Sequence, residues 1–231
     1  MNQHDGTDRG GWAYSERIDA ALRFAAAAHH EDVRKGTQVP YVMHPFHVGL
    51  ILDRHGFGED VVIAGILHDV LEDPHYERDT VQQRLSTLVP ALTTAPRDGD
   101  AFRDAVVGHV REAFGQAVLD LVVHVTEQKT DDAGARRPWK VRKEEQLAAL
   151  ADAPDEVCAI KAADCLHNLS ALTRELRAQG PGVMGRFNAG PGDITWYHAS
   201  VTDCVASRLG ADGPLATELR EALETFQAAV R

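Results

Sequence analysis

Apolar residues recur at helical spacing along nearly the whole chain. Ile18, Ala21, Leu22 and Ala25 fall at i, i+3, i+4 and i+7, with Ser15 placed as an N-cap, so the spacing predicts an amphipathic helix to about His29. A second helix is expected after Pro45. Ile63, Ile66, Leu67 and Val70 repeat the spacing in a third, expected to carry His68 and Asp69 within it. Asp79 or Thr80 is expected to cap the next, which ends before Pro90. Residues 102–114 and 116–125 read as two more. Pro138 opens a helix to about Leu150, and Pro154 opens a long one to about Leu176. Asp193 precedes a helix to about Leu209, and Pro214 opens the last. No alternating strand pattern interrupts this series, so the expectation is an all-α fold, a bundle of roughly ten helices.

Two stretches break the periodicity. Residues 90–100 (PALTTAPRDGD) read as a loop. Residues 179–192 hold five Gly and two Pro, which rules out a regular helix there. The polar, Gly-rich residues 1–12 read as a loose N-terminal tail, and residues 13–231 as one domain.

Composition narrows the function classes. The chain has 231 residues, 44% of them hydrophobic, enough for a substantial core and unlike a disordered or fibrous chain. A net charge of −11 argues against a DNA- or RNA-binding surface and against an anionic membrane as partner. An anionic small molecule then needs a local basic patch. The longest strongly apolar run, Val61 to Leu67, is too short to span a bilayer. Three scattered cysteines, Cys158, Cys165 and Cys204, fit a reducing compartment, so a cytoplasmic location is expected.

The candidate chemistry starts at His68 and Asp69 in AGILHDVLEDP. Three carboxylates and an imidazole within six residues repel and compete unless a cation or basic groups lie nearby. His44 in YVMHP and Asp164 in VCAIKAADCLHN add a second imidazole and a carboxylate on an apolar stripe. Two imidazoles and two carboxylates suit a divalent ion of borderline hardness such as Mn²⁺. Four protein ligands leave an octahedral ion two positions for water and substrate. A carboxylate one turn from a ligand, as Glu72 is from His68, can reach such a water.

The segments AAAAHHEDVRKGTQVPYVMHPFHVGLIL, VVIAGILHDVLED, VTEQK, VRKEEQLAAL and IKAADCLHNL occur in one order. In this the chain resembles the HD-domain phosphohydrolases, and among them the hydrolase domain of the RelA/SpoT alarmone enzymes, from about Ile18 to Leu172. The resemblance implies a single HD-type domain, with no synthetase domain in this length. It implies that His44, His68, Asp69 and Asp164 hold one ion, usually Mn²⁺, and that Glu72 and Asp73 position or deprotonate the attacking water. It implies that Arg34 stacks on the base, Lys35 lies near phosphate, Asn168 lies near the ribose or the water, and Lys129 contacts phosphate. His167 matches a supporting histidine, and Arg142 and Lys143 a basic pair. The implied activity is hydrolysis of the 3′-diphosphate of guanosine tetra- or pentaphosphate, giving pyrophosphate and GDP or GTP, with a small nucleotide as the partner.

The chain departs from the family pattern HNMRTL, reading HNLSAL, so Ser170 and Ala171 leave out a cation and a hydroxyl. That departure keeps a second substrate class open, adenosine alarmones or other phosphorylated nucleotides. A non-catalytic nucleotide-binding sensor on the same scaffold is a third reading, though a pure binder has no need of the acidic pair. The stretch from Leu88 to Val107 is longer than the family's connection.

Overall fold

The computed structural model describes residues 15–72, 75–131 and 133–231. The tail expected over residues 1–12 lies outside them. The described residues form ten α-helices: α1 (Glu16–Ala28), α2 (Met43–Arg54), α3 (Glu59–Leu67), α4 (Asp79–Leu88), α5 (Gly99–Phe114), α6 (Gln116–Val125), α7 (Trp139–Asp152), α8 (Asp155–Gln179), α9 (Pro191–Leu209) and α10 (Pro214–Val230). Among these residues the only β pairing is two isolated bridges, Val33 with Pro40 and Thr130 with Arg136. No helix among them is long and apolar enough to cross a membrane.

Helices α3 and α8 form the interior. Every residue from Val61 to Leu67 in α3 is buried, as is every residue from Val157 to Leu166 in α8. Burying a helix on all sides needs neighbours all round. α1, α2, α6 and α8 surround α3, and α2, α3, α6, α9 and α10 surround α8. α2 and α3 form an antiparallel hairpin that closes tightly because two glycines remove side chains from the contact. A Cβ on Gly65 would lie 2.3 Å from Leu52 Cδ1, and one on Gly49 would lie 2.6 Å from Ile66 Cγ1. This approach brings the N-terminus of α2, with His44, to the C-terminus of α3, with His68.

Several boundaries differ from the sequence reading. α2 begins at Met43, ahead of Pro45, because a proline in the first turn forfeits no helical hydrogen bond. α3 does not run through His68 and Asp69. It ends at Leu67 with His68 as C-cap, and the chain turns through bonds from Val70 N to Leu67 O (2.9 Å) and from Glu72 N to Asp69 O (3.1 Å). The expected cap at Asp79 or Thr80 is instead at Arg78, and Asp79 is the first residue of α4. The loop expected over 90–100 contains a 3-10 turn, Pro90–Thr94, and its last two residues already belong to α5, which Asp98 caps by accepting from Ala101 N at 3.1 Å. Buried Gln82 pins this segment by donating from Nε2 to Tyr76 O (2.6 Å) and Arg97 O (2.9 Å). The Gly-rich stretch contains a second 3-10 turn, Pro181–Arg186.

On α9, His198 is buried and its Nδ1 has no hydrogen-bond partner. Burial pushes its pKa down to about 4. A histidine depressed in the folded state takes up its proton more readily when unfolded, so its contribution is present above the unfolded pKa and lost as pH falls through the folded one. Between pH 7 and pH 4 the wild type is therefore expected to lose about 2–3 kcal/mol more stability than His198→Gln, read from denaturant unfolding at each pH.

Candidate active site

Four side chains from three separate elements meet at the junction of α2, α3 and α8. His44 comes from the first turn of α2, His68 and Asp69 from the end of α3, and Asp164 from the middle of α8. All four are at most 8% exposed. His44 Nε2 lies 3.2 Å from Asp164 Oδ1 and 3.6 Å from Asp69 Oδ2, and His68 Nε2 lies 3.1 Å from Asp69 Oδ2. Ligand atoms of His44, His68 and Asp164 all fall within 4.8 Å of one another, so these residues could hold a metal ion.

The remaining atoms of each residue are fixed from outside. His68 Nδ1 is 2.7 Å from Gly65 O, which can only accept, so Nδ1 carries the hydrogen and Nε2 turns inward. That Nε2 is buried, and its close polar neighbour is Asp69 Oδ2. His44 Nδ1 is 2.8 Å from His167 Nδ1. Burial, then the His44 charge, pushes the His167 pKa down to about 3, leaving a neutral ring to accept that bond. Tyr41 donates to Asp69 Oδ2 (2.7 Å), Lys161 to Asp164 Oδ2 (2.8 Å) and Asn168 to Asp164 Oδ1 (2.6 Å). Holding the outer atoms in this way leaves the inner lone pairs convergent.

Charge balance explains the pKa directions. Burial drives His68 down, but the charge and hydrogen bond of Asp69 outweigh it and hold the imidazole at about 9. Burial alone raises Asp69, and the imidazolium of His68 overrides it, so this carboxyl titrates below its usual range. Asp164 is likewise held well below, because Lys161 and His44 outweigh burial. His44 stays low because burial prevails. The two carboxylates thus stay charged in a nearly dry site, and with no ion they draw a proton onto His68. An oxygen–nitrogen donor set with two buried carboxylates and an imidazole nitrogen turned inward between them fits a divalent cation.

Glu72 stands beside this cluster in the turn after α3. Its Oε2 accepts from Glu127 N (3.0 Å) and its Oε1 is 3.3 Å from Lys129 Nζ. Burial, then the Asp69 charge, raises its pKa, with Lys129 opposing. Asp73 lies outside the described residues. Lys129 thus faces Glu72, and it is not among the residues that line the cavity beside Asp164. Arg142 is buried in an ion pair with Glu127, to which Lys143 also binds, so of that pair only Lys143 lines the cavity.

That cavity, about 290 Å³, opens from Asp164 outward. Arg34, Lys35, Lys143, Lys161 and Arg186 give it a positive wall in a negatively charged protein. Arg34 Nη2 donates to Asn168 Oδ1 at 2.6 Å. Trp139 borders the cavity, set edge-to-face against Trp196 and Tyr197. The departure at position 170 removes nothing from this wall. Ser170 is exposed in a separate groove with Arg54 and Arg174, and Ala171 is the residue that faces the cavity. Sequence reasoning missed Lys161, which the i, i+3 spacing to Asp164 on one helix could have found, and Tyr41, whose partner Asp69 lies 28 positions away. It also missed Arg186, which no local pattern ties to the site.

A family model described as HD domain matches residues 21–183. A guanosine-3′,5′-bis(diphosphate) 3′-pyrophosphohydrolase of Aquifex aeolicus is 37% identical over 79 residues, 34% of this chain and 11% of that protein. A GTP pyrophosphokinase of Streptomyces coelicolor is 29% identical over 156 residues, 68% of this chain and 15% of that protein. The chain thus spans only a small part of these curated relatives. A solved structure described as a metazoan ortholog of SpoT that hydrolyzes ppGpp has the same fold, with TM-score 0.61, 24% identity, and coverage of 95% of this chain and 99% of that one. With a family match over most of its length and a buried His-Asp centre at the junction of three helices, the chain belongs to the HD-domain family.

Proposed function

We propose that this chain is a metal-dependent phosphohydrolase that removes the 3′-diphosphate from guanosine tetra- or pentaphosphate, releasing pyrophosphate and GDP or GTP. The observation that carries the reading is the convergence of His44, His68, Asp69 and Asp164 at the inner end of a cation-lined cavity. Similarity to the Aquifex pyrophosphohydrolase supports the substrate class. In this reading those four residues hold one ion, with Mn²⁺ suited to the mixed imidazole and carboxylate set. When bound there, such an ion would supply Lewis acidity and make a nearby water easier to deprotonate.

The chain's own groups then have separate tasks. Glu72, with Asp73, orients the water and accepts its proton. Each Glu72 oxygen keeps a lone pair beyond those engaged by Glu127 N–H and Lys129. Burial keeps Glu72 basic enough for the transfer. The water oxygen bonds to the phosphorus next to the ribose, the bond from that phosphorus to the 3′ oxygen breaks, and the 3′ oxygen takes up a proton. Lys161 and Lys35 counter the added phosphate charge. Arg34, steadied by Asn168, offers a flat face to the base. Lys129 holds Glu72 and, in this reading, reaches a phosphate of the substrate from there. The substrate is a small nucleotide, in keeping with the cytoplasmic location inferred above.

A second reading, hydrolysis of adenosine alarmones, is favoured by one observation. Ala171 and Leu172 give that wall of the cavity no hydroxyl to read a base edge.

With Mn²⁺ and guanosine tetraphosphate the wild type is expected to release pyrophosphate and GDP. Asp69→Ala abolishes turnover, and Glu72→Gln lowers kcat by about 10²–10⁴-fold. Turnover only of adenine nucleotides selects the second reading. Ion binding is read separately by melting. Mn²⁺ at a hundredfold over its Kd raises the Tm by about 5–10 °C. EDTA reverses the rise, and Asp69→Ala lacks it.

A further inference from the structure

The loop that carries Arg34 and Lys35 is clamped from the far side of the cavity. Its backbone is a tight turn closed by Arg34 N to Val39 O (2.8 Å) and Thr37 N to Arg34 O (2.9 Å). Gly36 sits at its tip with φ +75, where an L side chain is strained. The Gly36 carbonyl accepts from Arg186 Nη1 at 3.2 Å, and Arg186 also forms an ion pair with Glu175. A Cβ at residue 36 would lie 2.5 Å from Arg186 Cδ, so the glycine also makes room for the arginine stem. Next to it, Lys35 Nζ lies 5.6 Å from the centre of the Phe187 ring.

Helix α8 supplies both anchors. Asp164, Asn168 and Glu175 stand at i, i+4 and i+11, along one face. Asn168 holds the Arg34 side chain, and Glu175 holds Arg186, which holds Gly36. The turn is thus fastened on both sides of Lys35. Burial and then the nearby Arg34 charge both disfavour the Arg186 guanidinium, and Glu175 supplies the opposing charge.

We propose that Arg186, anchored on Glu175, is a positioning residue that latches the Arg34–Lys35 turn so that both cations face an anionic nucleotide. This rests on the phosphohydrolase reading for the nucleotide, but not for the latch itself. Arg186 acts through the turn, so its loss weakens substrate binding and leaves the chemical step in place.

The test uses the full Mn²⁺-loaded chain and Arg186→Gln, Arg186→Lys, Glu175→Gln and the double variant Arg186→Gln/Glu175→Gln. Hydrogen exchange at the Arg34 and Thr37 amides, without nucleotide, reads the latch. Exchange there is expected to quicken in Arg186→Gln and Glu175→Gln, with α2 amides unchanged as the control for folding. With guanosine tetraphosphate, Arg186→Gln is expected to raise KM about tenfold and change kcat by less than about threefold. Arg186→Lys recovers part of the KM, and the double variant is no worse than Arg186→Gln because both residues act through one contact. Unchanged exchange at Arg34 and Thr37 overturns the latch. Faster exchange with an unchanged KM, or a loss confined to kcat, overturns the positioning role. Faster exchange in the variants, with a wild type that turns over no guanosine nucleotide, leaves the latch standing and rejects the substrate reading instead.

Discussion

Two carboxylates, Asp69 and Asp164, are held charged almost out of water, and the surrounding structure is built around that constraint. Like charges in a low-dielectric site are tolerated only with compensating positive charge. Lys161 gives Asp164 one partner, Tyr41 gives Asp69 a hydrogen bond, and a proton drawn onto His68 completes the balance when no ion is present. The inward face of that balance, an imidazole nitrogen against carboxylate oxygens, is where a divalent cation is the natural counter-charge in place of the proton. The acidic cluster therefore depends on the depth of the core as much as on its own four residues.

The core reaches that depth through helix ends. Ending α3 at Leu67 lets His68 bond back to Gly65 O while Asp69 turns toward the other ligands, which a continuing helix would have splayed over about 100° per residue. Gly49 and Gly65 bring α2 and α3 close enough for His44 to join them. α8 then contributes at both ends of the cavity, Asp164 inside and Glu175 outside, so one rigid helix sets the distance between the reacting centre and the Arg34–Lys35 turn.

Much of this was legible in the sequence. The helical spacing gives ten α-helices, and the two imidazoles and two carboxylates it singled out do come together. What it mistook was local. A buried apolar run does not signal its own end, so α3 read as passing through His68 when a turn begins there. Position 170 read as a gap in the nucleotide's surroundings because sequence order does not say which side of α8 faces the cavity. The pairing of Lys129 with Glu72 was not legible either, because the two are distant in sequence. Arg186 was invisible for the same reason, since it meets Gly36 only across 150 positions of chain.

The central claim is that the four convergent side chains are one metal centre. Anomalous diffraction at the manganese edge from crystals grown with Mn²⁺ tests it directly. The account predicts one peak bounded by the inward nitrogens of His44 and His68 and oxygens of Asp69 and Asp164. A fully occupied peak elsewhere with none at this cluster, or a cluster that stays closed around a protonated His68 at saturating Mn²⁺, would contradict it.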